Sequence, residues 1–135
     1  MGGPGILYLD SSAIVKLVAA EPESAALVDL LKTGGPAVAS ALAKVEVQRA
    51  VSRLPSSEAM TQRAKEVLDR IALIKVDDGI LQQAADLEPA ELRSLDALHL
   101  ATALSVQEHL EAFVVYDRRL AEAAVGLGLT VGSPK

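Results

Sequence analysis

The chain has 135 residues and a formal net charge of −5 at pH 7, and half of its residues are hydrophobic. A chain of this length can bury a substantial core, so we expect a single domain over residues 1–135. The absence of cysteine excludes disulfides, thiolate metal sites and cysteine nucleophiles. The negative charge argues against a non-specific nucleic-acid coat, which needs a basic face.

Short apolar runs alternate with longer segments of helical periodicity. Strands are predicted at Ile6–Leu9, Ala37–Ala39, Ile74–Val76, Phe113–Tyr116 and Leu129–Val131. Helices are predicted at 12–20, 23–32, 40–54, 56–71, 77–87, 95–109 and 118–126, between Ser or Asp caps and Pro or Gly stop signals. Because strands that alternate with helices form parallel sheets covered on both faces, we predict an α/β fold.

The sequence carries no sign of a membrane segment or an export signal. No apolar run approaches the roughly 20 residues of a membrane-spanning helix. The segment Met1–Gly5 lacks the basic and apolar regions of a signal peptide. We therefore expect no membrane contact and a cytoplasmic location.

Four acidic residues lie beside apolar segments, where a carboxylate has little structural use. Asp10 and Asp117 each come directly after a predicted strand. Glu46 lies on an apolar helical stripe that should face the protein. Asp96 is in the first turn of its predicted helix, where the helix N-terminus favours an anion. Because ligands bind beyond the carboxyl ends of parallel strands, we expect these four acids to converge at one edge of the sheet.

Clustered carboxylates repel one another unless a cation neutralises them. Hard oxygen ligands select Mg²⁺ or Mn²⁺ over zinc. One ion, or two ions about 3.5–4 Å apart, would activate water and stabilise the charge that develops on a phosphodiester. The four acids therefore predict a divalent-metal hydrolase.

Each acid also has a purely structural interpretation. Asp10 and Asp117 are in position to cap the helices that follow their strands, and Asp96 is in position to stabilise a first turn. Glu46 has Lys44 and Arg49 nearby as ion-pair partners. Only the joint pattern favours a metal site.

Four segments together carry a family resemblance. They are YLDSSAIVKL from Tyr8, VEVQRA from Val45, DALHLATA from Asp96 and VYDRRLAEAA from Val115. In this order they resemble the PIN domain, and within it the VapC-type toxins of bacterial toxin–antitoxin pairs. The resemblance covers essentially the whole chain, and it implies a three-layer α/β/α sandwich with a five-stranded parallel sheet.

The resemblance also implies an activity. It implies a Mg²⁺- or Mn²⁺-dependent endoribonuclease in which Asp10, Glu46, Asp96 and Asp117 form the acidic metal site and Ser12 supports the first acid. It implies a homodimer and a VapB-type antitoxin that covers the acidic site. Helices within residues 23–73 are candidate surfaces for both contacts, although core packing explains their Ala, Leu and Val content equally well.

One position departs from the family pattern. Many relatives carry Thr or Ser two residues before the last acid, where this chain has Val115. The change removes a hydroxyl that would help to orient Asp117.

Other residues are candidates for supporting roles. His99, one turn after Asp96, is the only obvious general acid, although a structural helix histidine is the favoured interpretation. His109 is interpreted as a partner of a helix C-terminus. Candidate phosphate contacts are Arg118 and Arg119 and, further away, Lys16, Lys44, Arg49 and Arg53, although ordinary surface charge is the favoured interpretation of each.

Two other functions stay open. One is another α/β metal-dependent phosphoesterase, but phosphatases that use the Asp after the first strand have a second Asp two residues later, where this chain has Ser12. The other is a catalytically silent PIN-like module that only binds a partner. Four retained acids argue against that module, since a silent scaffold has no physical need for clustered charge.

Overall fold

The computed structural model describes residues 5–135, and within them five strands alternate with seven α-helices. The strands are β1 (Ile6–Leu9), β2 (Ala37–Ser40), β3 (Ala72–Ile74), β4 (Leu110–Val114) and β5 (Val131–Gly132). The helices are α1 (Ser11–Val18), α2 (Ser24–Thr33), α3 (Ala43–Val51), α4 (Ser57–Leu68), α5 (Asp78–Asp86), α6 (Ser94–Leu104) and α7 (Arg118–Gly126). Residues 1–4 lie outside the described residues. The expectation that Met1–Gly5 is not part of a signal peptide falls mostly on them.

All five strands form one parallel sheet in the order β3-β2-β1-β4-β5. β1 lies at the centre, with Leu7 opposite Ala37 of β2 on one side and Leu9 opposite Val114 of β4 on the other. Because both neighbours of β1 are parallel strands, its carboxyl end lies beside theirs, in the middle of one edge of the sheet. Asp10 follows β1 at this edge.

Side chains alternate between the two faces of β1, and helices cover each face. Leu7 and Leu9 are fully buried against α1, α2, α3 and α4. Tyr8 points the other way and packs with Phe113, Leu100 of α6 and Leu120 of α7. Two apolar clusters on opposite faces of a sheet make three layers. The predicted α/β/α sandwich is therefore confirmed.

Helix α5 lies outside these two clusters. Ile80 and Ala84 of α5 pack against Ala97 and Ala101 of α6, which forms a third, smaller cluster. Within residues 5–135, no helix combines the length and the apolar character needed to cross a membrane.

Several predicted boundaries were wrong by a few residues. The region predicted as a helix from a Ser40 cap to Leu54 contains the end of β2 and the shorter α3. The helix predicted to reach His109 ends at Leu104, and His109 lies in a short 3₁₀ turn directly before β4 instead of at the end of an α-helix. β3 begins two residues earlier than predicted, and β5 two residues later.

The displacement of β4 matters most for the site. The apolar run Phe113–Tyr116 predicts a strand up to Asp117, but β4 ends at Val114. The amide of Asp10 donates to Val114 O at 3.0 Å, which is the last link with β1. The Tyr116 amide turns to the side chain of Ser12 instead. Asp117 is therefore carried on a short loop and does not extend directly from a strand.

Candidate metal centre

The four predicted acids come from four separate elements. Asp10 lies between β1 and α1, Glu46 on α3, Asp96 in the first turn of α6, and Asp117 at the start of α7. Asp10 is 5% exposed, whereas Asp96 and Glu46 are half-buried and Asp117 is exposed. The acids therefore span the depth of the edge from core to solvent.

Asp10 and Asp117 both cap the helices that follow them, so these two structural interpretations are correct, whether or not the same residues also bind a metal. Asp10 Oδ2 accepts the Ser12 amide at 3.1 Å and caps α1. Asp117 Oδ1 accepts the Leu120 amide at 3.1 Å and caps α7. In each cap one carboxylate oxygen receives the helix N–H, which orients the side chain and lowers its mobility.

Ser12 connects the first and last acidic segments. Its Oγ donates to Asp10 Oδ2 at 2.7 Å and accepts the Tyr116 amide at 3.1 Å. The predicted support of Asp10 by Ser12 is therefore present in the structure. The loop that carries Asp117 is also tied through Val115, whose carbonyl accepts the hydroxyl of Ser133. Val115 itself is fully buried, so its side chain packs in the core.

A buried histidine contacts Glu46. Nε2 of His99 donates to Glu46 Oε1 at 2.6 Å, and the same oxygen accepts the hydroxyl of Ser11 at 2.8 Å. Nε2 is also 3.8 Å from Asp10 Oδ1. The other ring nitrogen, Nδ1, is 2.9 Å from the hydroxyl of Tyr8. The predicted pairing of Glu46 with Lys44 or Arg49 was wrong, because Ser11 and His99 occupy this role.

The environment changes the pKa values of this pair in opposite directions. Burial alone would raise the pKa of Glu46, but the hydrogen bonds from His99 and Ser11 hold it below the usual value. Burial alone would lower the pKa of His99, but the hydrogen bond to Glu46 and the charge of Asp10 raise it. Both shifts favour the ionised pair, so Glu46 is a carboxylate in this structure at neutral pH.

The pKa of Asp96 is sensitive to other acids at the edge of the sheet. Its pKa is raised, first by burial and then by the charges of Asp117 and Asp10. Such charge effects act over a few ångströms in a partly buried site. The charges of Asp117 and Asp10 therefore act on Asp96, whereas the convergence of all four acids on one ion stays a prediction.

The chemistry of this donor set fits a hard divalent cation, since all four donors are carboxylates. Within residues 5–135, however, no three acidic or histidine side chains already stand close enough together to hold an ion. Three acids have one oxygen engaged by protein donors: Oδ2 of Asp10, Oε1 of Glu46 and Oδ1 of Asp117. Each of these carboxylates has a second oxygen available as a single ligand atom.

The predicted phosphate contacts divide into two groups. Lys16 is only 12% exposed and pairs with Glu23 at 2.9 Å and Glu21 at 3.4 Å, so it is committed to the fold. Arg119, in contrast, lines a cleft of about 440 Å³ together with Asp96 and Arg93. Arg118 is exposed at the start of α7 but is not among the residues that line this cleft.

Sequence reasoning missed the roles of Tyr8 and Ser11 and left His99 without a partner. The spacing of His99 from Asp96, one helical turn, shows that both share a face of α6. It does not show which residue of α3 that face meets. A Tyr in the middle of a buried strand is a further signal, since a buried hydroxyl needs a hydrogen-bond partner.

Comparisons with known proteins agree with this geometry. The PIN domain family profile matches residues 7–126. Ribonuclease VapC46 of Mycobacterium tuberculosis is 46% identical over 128 residues, which cover 95% of this chain and 97% of that protein. Ribonuclease VapC47 of the same organism is 37% identical over 133 residues, covering 96% of this chain and 97% of the relative.

A solved structure shares the fold at low sequence identity. A toxin–antitoxin complex from Klebsiella pneumoniae contains a chain with a TM-score of 0.72 and 20% identity, covering 96% of this chain and 98% of that one. The family profile, the two curated relatives and the shared fold all extend over nearly the whole length. The chain therefore belongs to the PIN domain family and, within it, to the VapC proteins.

Proposed function

We propose that this chain is a metal-dependent endoribonuclease, the toxin of a VapBC-type toxin–antitoxin pair. Its relatives VapC46 and VapC47, both named ribonucleases, support the activity. The observation that carries the site is the position of His99 Nε2, 2.6 Å from Glu46 Oε1 and 3.8 Å from Asp10 Oδ1, which brings acids of two separate elements to the same point at the edge of the sheet. The whole chain acts as one domain.

The metal site consists of Asp10, Glu46, Asp96 and Asp117, with Mg²⁺ or Mn²⁺ as the cation. When bound, the cation supplies a Lewis acid that lowers the pKa of water and offsets negative charge on the phosphodiester. The four acids supply negative charge that selects a dication and oxygen atoms of the hardness it prefers. Asp10, the most buried of them, provides the most rigid ligand, because Ser12 holds its Oδ2 while Oδ1 is available to the cation.

The remaining residues of the edge hold these ligands in place. The Ser11 hydroxyl and the His99 ring fix one oxygen of Glu46, and the α7 amide of Leu120 fixes one oxygen of Asp117. Side chains that are already oriented lower the ordering cost of metal binding, so what remains is for the acids to approach one another around the ion. No side-chain nucleophile is required, which agrees with the absence of cysteine.

RNA approaches through the cleft beside Asp96. Arg93 and Arg119 line this cleft and provide cationic groups for phosphates that flank the scissile bond. Glu91 and Glu122 also line it, so the cleft is not uniformly basic. With Asp96 the lining holds three acids against two arginines, so the attraction of phosphate to this cleft also depends on the charge of a bound dication.

The protein partner is a VapB-type antitoxin, and the chain itself is a homodimer in the cytoplasm, where its RNA substrate is found. A groove of about 430 Å³ between α1, α2 and α4 is lined by apolar side chains that include Leu17, Val28 and Leu31. Arg63 and Arg70 also line it. An amphipathic antitoxin segment with acidic flanks fits this combination of apolar and basic lining.

The activity is tested with purified, antitoxin-free protein and mixed RNAs, in Mg²⁺ or Mn²⁺ and in EDTA. We expect cleavage with metal, none in EDTA, and none with Asp10→Asn. The matched control is Asp69→Asn, which changes an exposed aspartate outside the site and should retain full activity.

The alternative functions give different results in the same assay. Cleavage that persists in EDTA, or in Asp10→Asn, would refute the proposed mechanism. Absence of both cleavage and calorimetric metal binding would favour the silent partner-binding module. Release of phosphate from small phosphoesters without RNA cleavage would favour another metal-dependent phosphoesterase.

A further inference from the structure

His99 links three elements at the edge of the sheet. It lies on α6, it contacts Glu46 of α3 through Nε2 at 2.6 Å, and it contacts Tyr8 of β1 through Nδ1 at 2.9 Å. The residue is 2% exposed and Tyr8 is fully buried. The result is a continuous chain of hydrogen bonds from the core, through the imidazole, to a carboxylate of the candidate metal site.

We propose that His99 is a positioning residue that holds Glu46 in the orientation needed for metal binding. The inference rests on the proposed metal site but goes beyond it, because it assigns a role to a residue outside the four acids, whose two ring nitrogens are occupied by Glu46 and Tyr8. His99 acts on Glu46 by occupying one carboxylate oxygen. The other oxygen is then the one that Glu46 offers to the cation.

The distribution of hydrogen bonds on Glu46 supports this role. Among the described residues, both side-chain donors to Glu46, Ser11 and His99, bind Oε1. A Glu side chain has several rotatable bonds, and fixing them costs conformational entropy. Because two donors already hold Oε1, that entropy is lost on folding and not when the cation binds.

Packing alone does not account for His99. An apolar side chain of similar volume would fill the same space between β1 and α6 without the desolvation cost of two ring nitrogens. That cost is offset here because both nitrogens are hydrogen-bonded. Tyr8 contributes by fixing the ring: its hydroxyl holds Nδ1, and its own ring stacks on Phe113 with centroids 5.2 Å apart.

The test measures Mn²⁺ affinity by titration calorimetry, a readout that does not depend on RNA. His99→Leu fills the space without donating a hydrogen bond, and we expect it to weaken Mn²⁺ binding about 10–100-fold, as loss of an outer-shell partner does in other metal sites. His99→Gln retains a donor and should recover most of the affinity. Tyr8→Phe should give a smaller loss, since the ring remains but is less firmly held.

Because Leu at position 99 leaves the Tyr8 hydroxyl buried without His99, the double variant Tyr8→Phe/His99→Leu is included to keep the core apolar. Each variant is checked by circular dichroism and thermal unfolding before titration. The matched histidine control is His109→Gln, an exposed histidine before β4, which should bind Mn²⁺ like the native chain.

A double-mutant cycle separates positioning of Glu46 from a general structural role. In the Glu46→Gln background, His99→Leu should cause little further loss of Mn²⁺ affinity, because the carboxylate it positions is gone. An equal loss in both backgrounds would overturn the proposal. Native affinity in folded His99→Leu would also overturn it.

Kinetics provide a second readout. If His99 acts through the metal site, His99→Leu lowers kcat at a fixed Mn²⁺ concentration and leaves the KM for RNA nearly unchanged. Metal binding with the expected variant pattern but without RNA cleavage would refute the proposed function and support the role of His99. Absence of metal binding by the native chain would overturn both.

Discussion

The hydroxyl of Ser12 donates to Asp10 Oδ2 at 2.7 Å, and it also accepts the amide of Tyr116 at 3.1 Å. One side chain thus fixes both the most buried acid and the loop that leads to Asp117. We expect Ser12→Ala to weaken Mn²⁺ binding about 10-fold or more, because two metal-site segments lose a shared support. Stability should fall by about 1 kcal/mol for the lost hydrogen bonds.

Calorimetric titration and urea unfolding of Ser12→Ala provide the two measurements. The control is Ser52→Ala, which removes an exposed hydroxyl that binds only the Arg49 carbonyl of its own helix. Unchanged Mn²⁺ affinity in Ser12→Ala would show that the backbone amide bond to Asp10 is sufficient to orient this acid.

The alternation of strands and helices could be predicted from the sequence, as could the sheet edge at which Asp10 belongs. The end of β4 could not. Val115 and Tyr116 are as apolar as the strand residues before them, but β1 ends at Leu9, and the amide of Tyr116 donates to the side chain of Ser12 in α1. Hydrophobicity reports burial, whereas the end of a strand depends on where its neighbours stop.

The hydrogen bond between Glu46 and His99 could not be predicted for a related reason. Helix α6 is buried on several sides, with Ala97, Leu100, Ala101 and Ala103 all at least 90% inaccessible. A helix that is apolar nearly all round has no single face to indicate which neighbour each residue meets. The contact between His99 and Glu46 joins residues 53 positions apart. Helices α3 and α6 cover opposite faces of the sheet and meet only through such contacts at its edge, which periodicity does not specify.

Repulsion of Asp96 by Asp117 and Asp10 should lower the stability of the metal-free protein, although the same carboxylate favours metal binding. Its folded-state pKa is raised by burial, Asp117 and Asp10, so the ionised carboxylate opposes folding. We expect Asp96→Asn to increase the free energy of unfolding of the metal-free protein at neutral pH. The gain should be below about 1 kcal/mol, because solvent screens a half-buried group. Urea unfolding in EDTA measures this gain.

The pH dependence of that gain follows from the sign of the shift. A carboxyl whose pKa is higher in the folded state contributes stability below its unfolded pKa, and the contribution is lost as pH rises through the folded value. The advantage of Asp96→Asn should therefore be absent in strong acid and complete at neutral pH. Added Mn²⁺ should reverse the order, since binding stabilises the native chain, which retains all four acids, more than the variant that lacks one. A metal-free Asp96→Asn no more stable than the native chain would contradict the repulsion of Asp96 by the other acids.

Lys16 of α1 interacts through its charge with a carboxylate and with an aromatic ring. Its Nζ is 2.9 Å from Glu23 and lies 4.8 Å from the centre of the Tyr116 ring. We expect Lys16→Met, which keeps the apolar stem, to lower the unfolding temperature, because an ion pair and a cation–π contact are lost together.

Thermal unfolding at two salt concentrations tests the contribution of Lys16. The difference between Lys16→Met and the native chain should shrink in salt but not vanish, since both carboxylate partners are partly exposed whereas Lys16 itself is only 12% exposed. The exposed Lys75→Met is the matched control and should change stability little. Full loss of the difference in salt would indicate an ordinary surface pair.

A close approach between Gly34 and Leu7 fixes how α2 ends against β1. A methyl group added at Gly34 would lie 2.6 Å from Cδ1 of Leu7, a side chain that is fully buried. Because Leu7 has little room to move, Gly34→Ala should reduce the free energy of unfolding by about 1–3 kcal/mol, as overpacking of a core does. Gly126→Ala, which meets nothing within 4 Å at the end of α7, should be neutral or stabilising. Urea unfolding of the two variants and the native chain measures both effects. If Gly34→Ala is as stable as the native chain, Leu7 changes its side-chain conformation at little cost. The junction of α2 with β1 would then tolerate a larger residue than its geometry indicates.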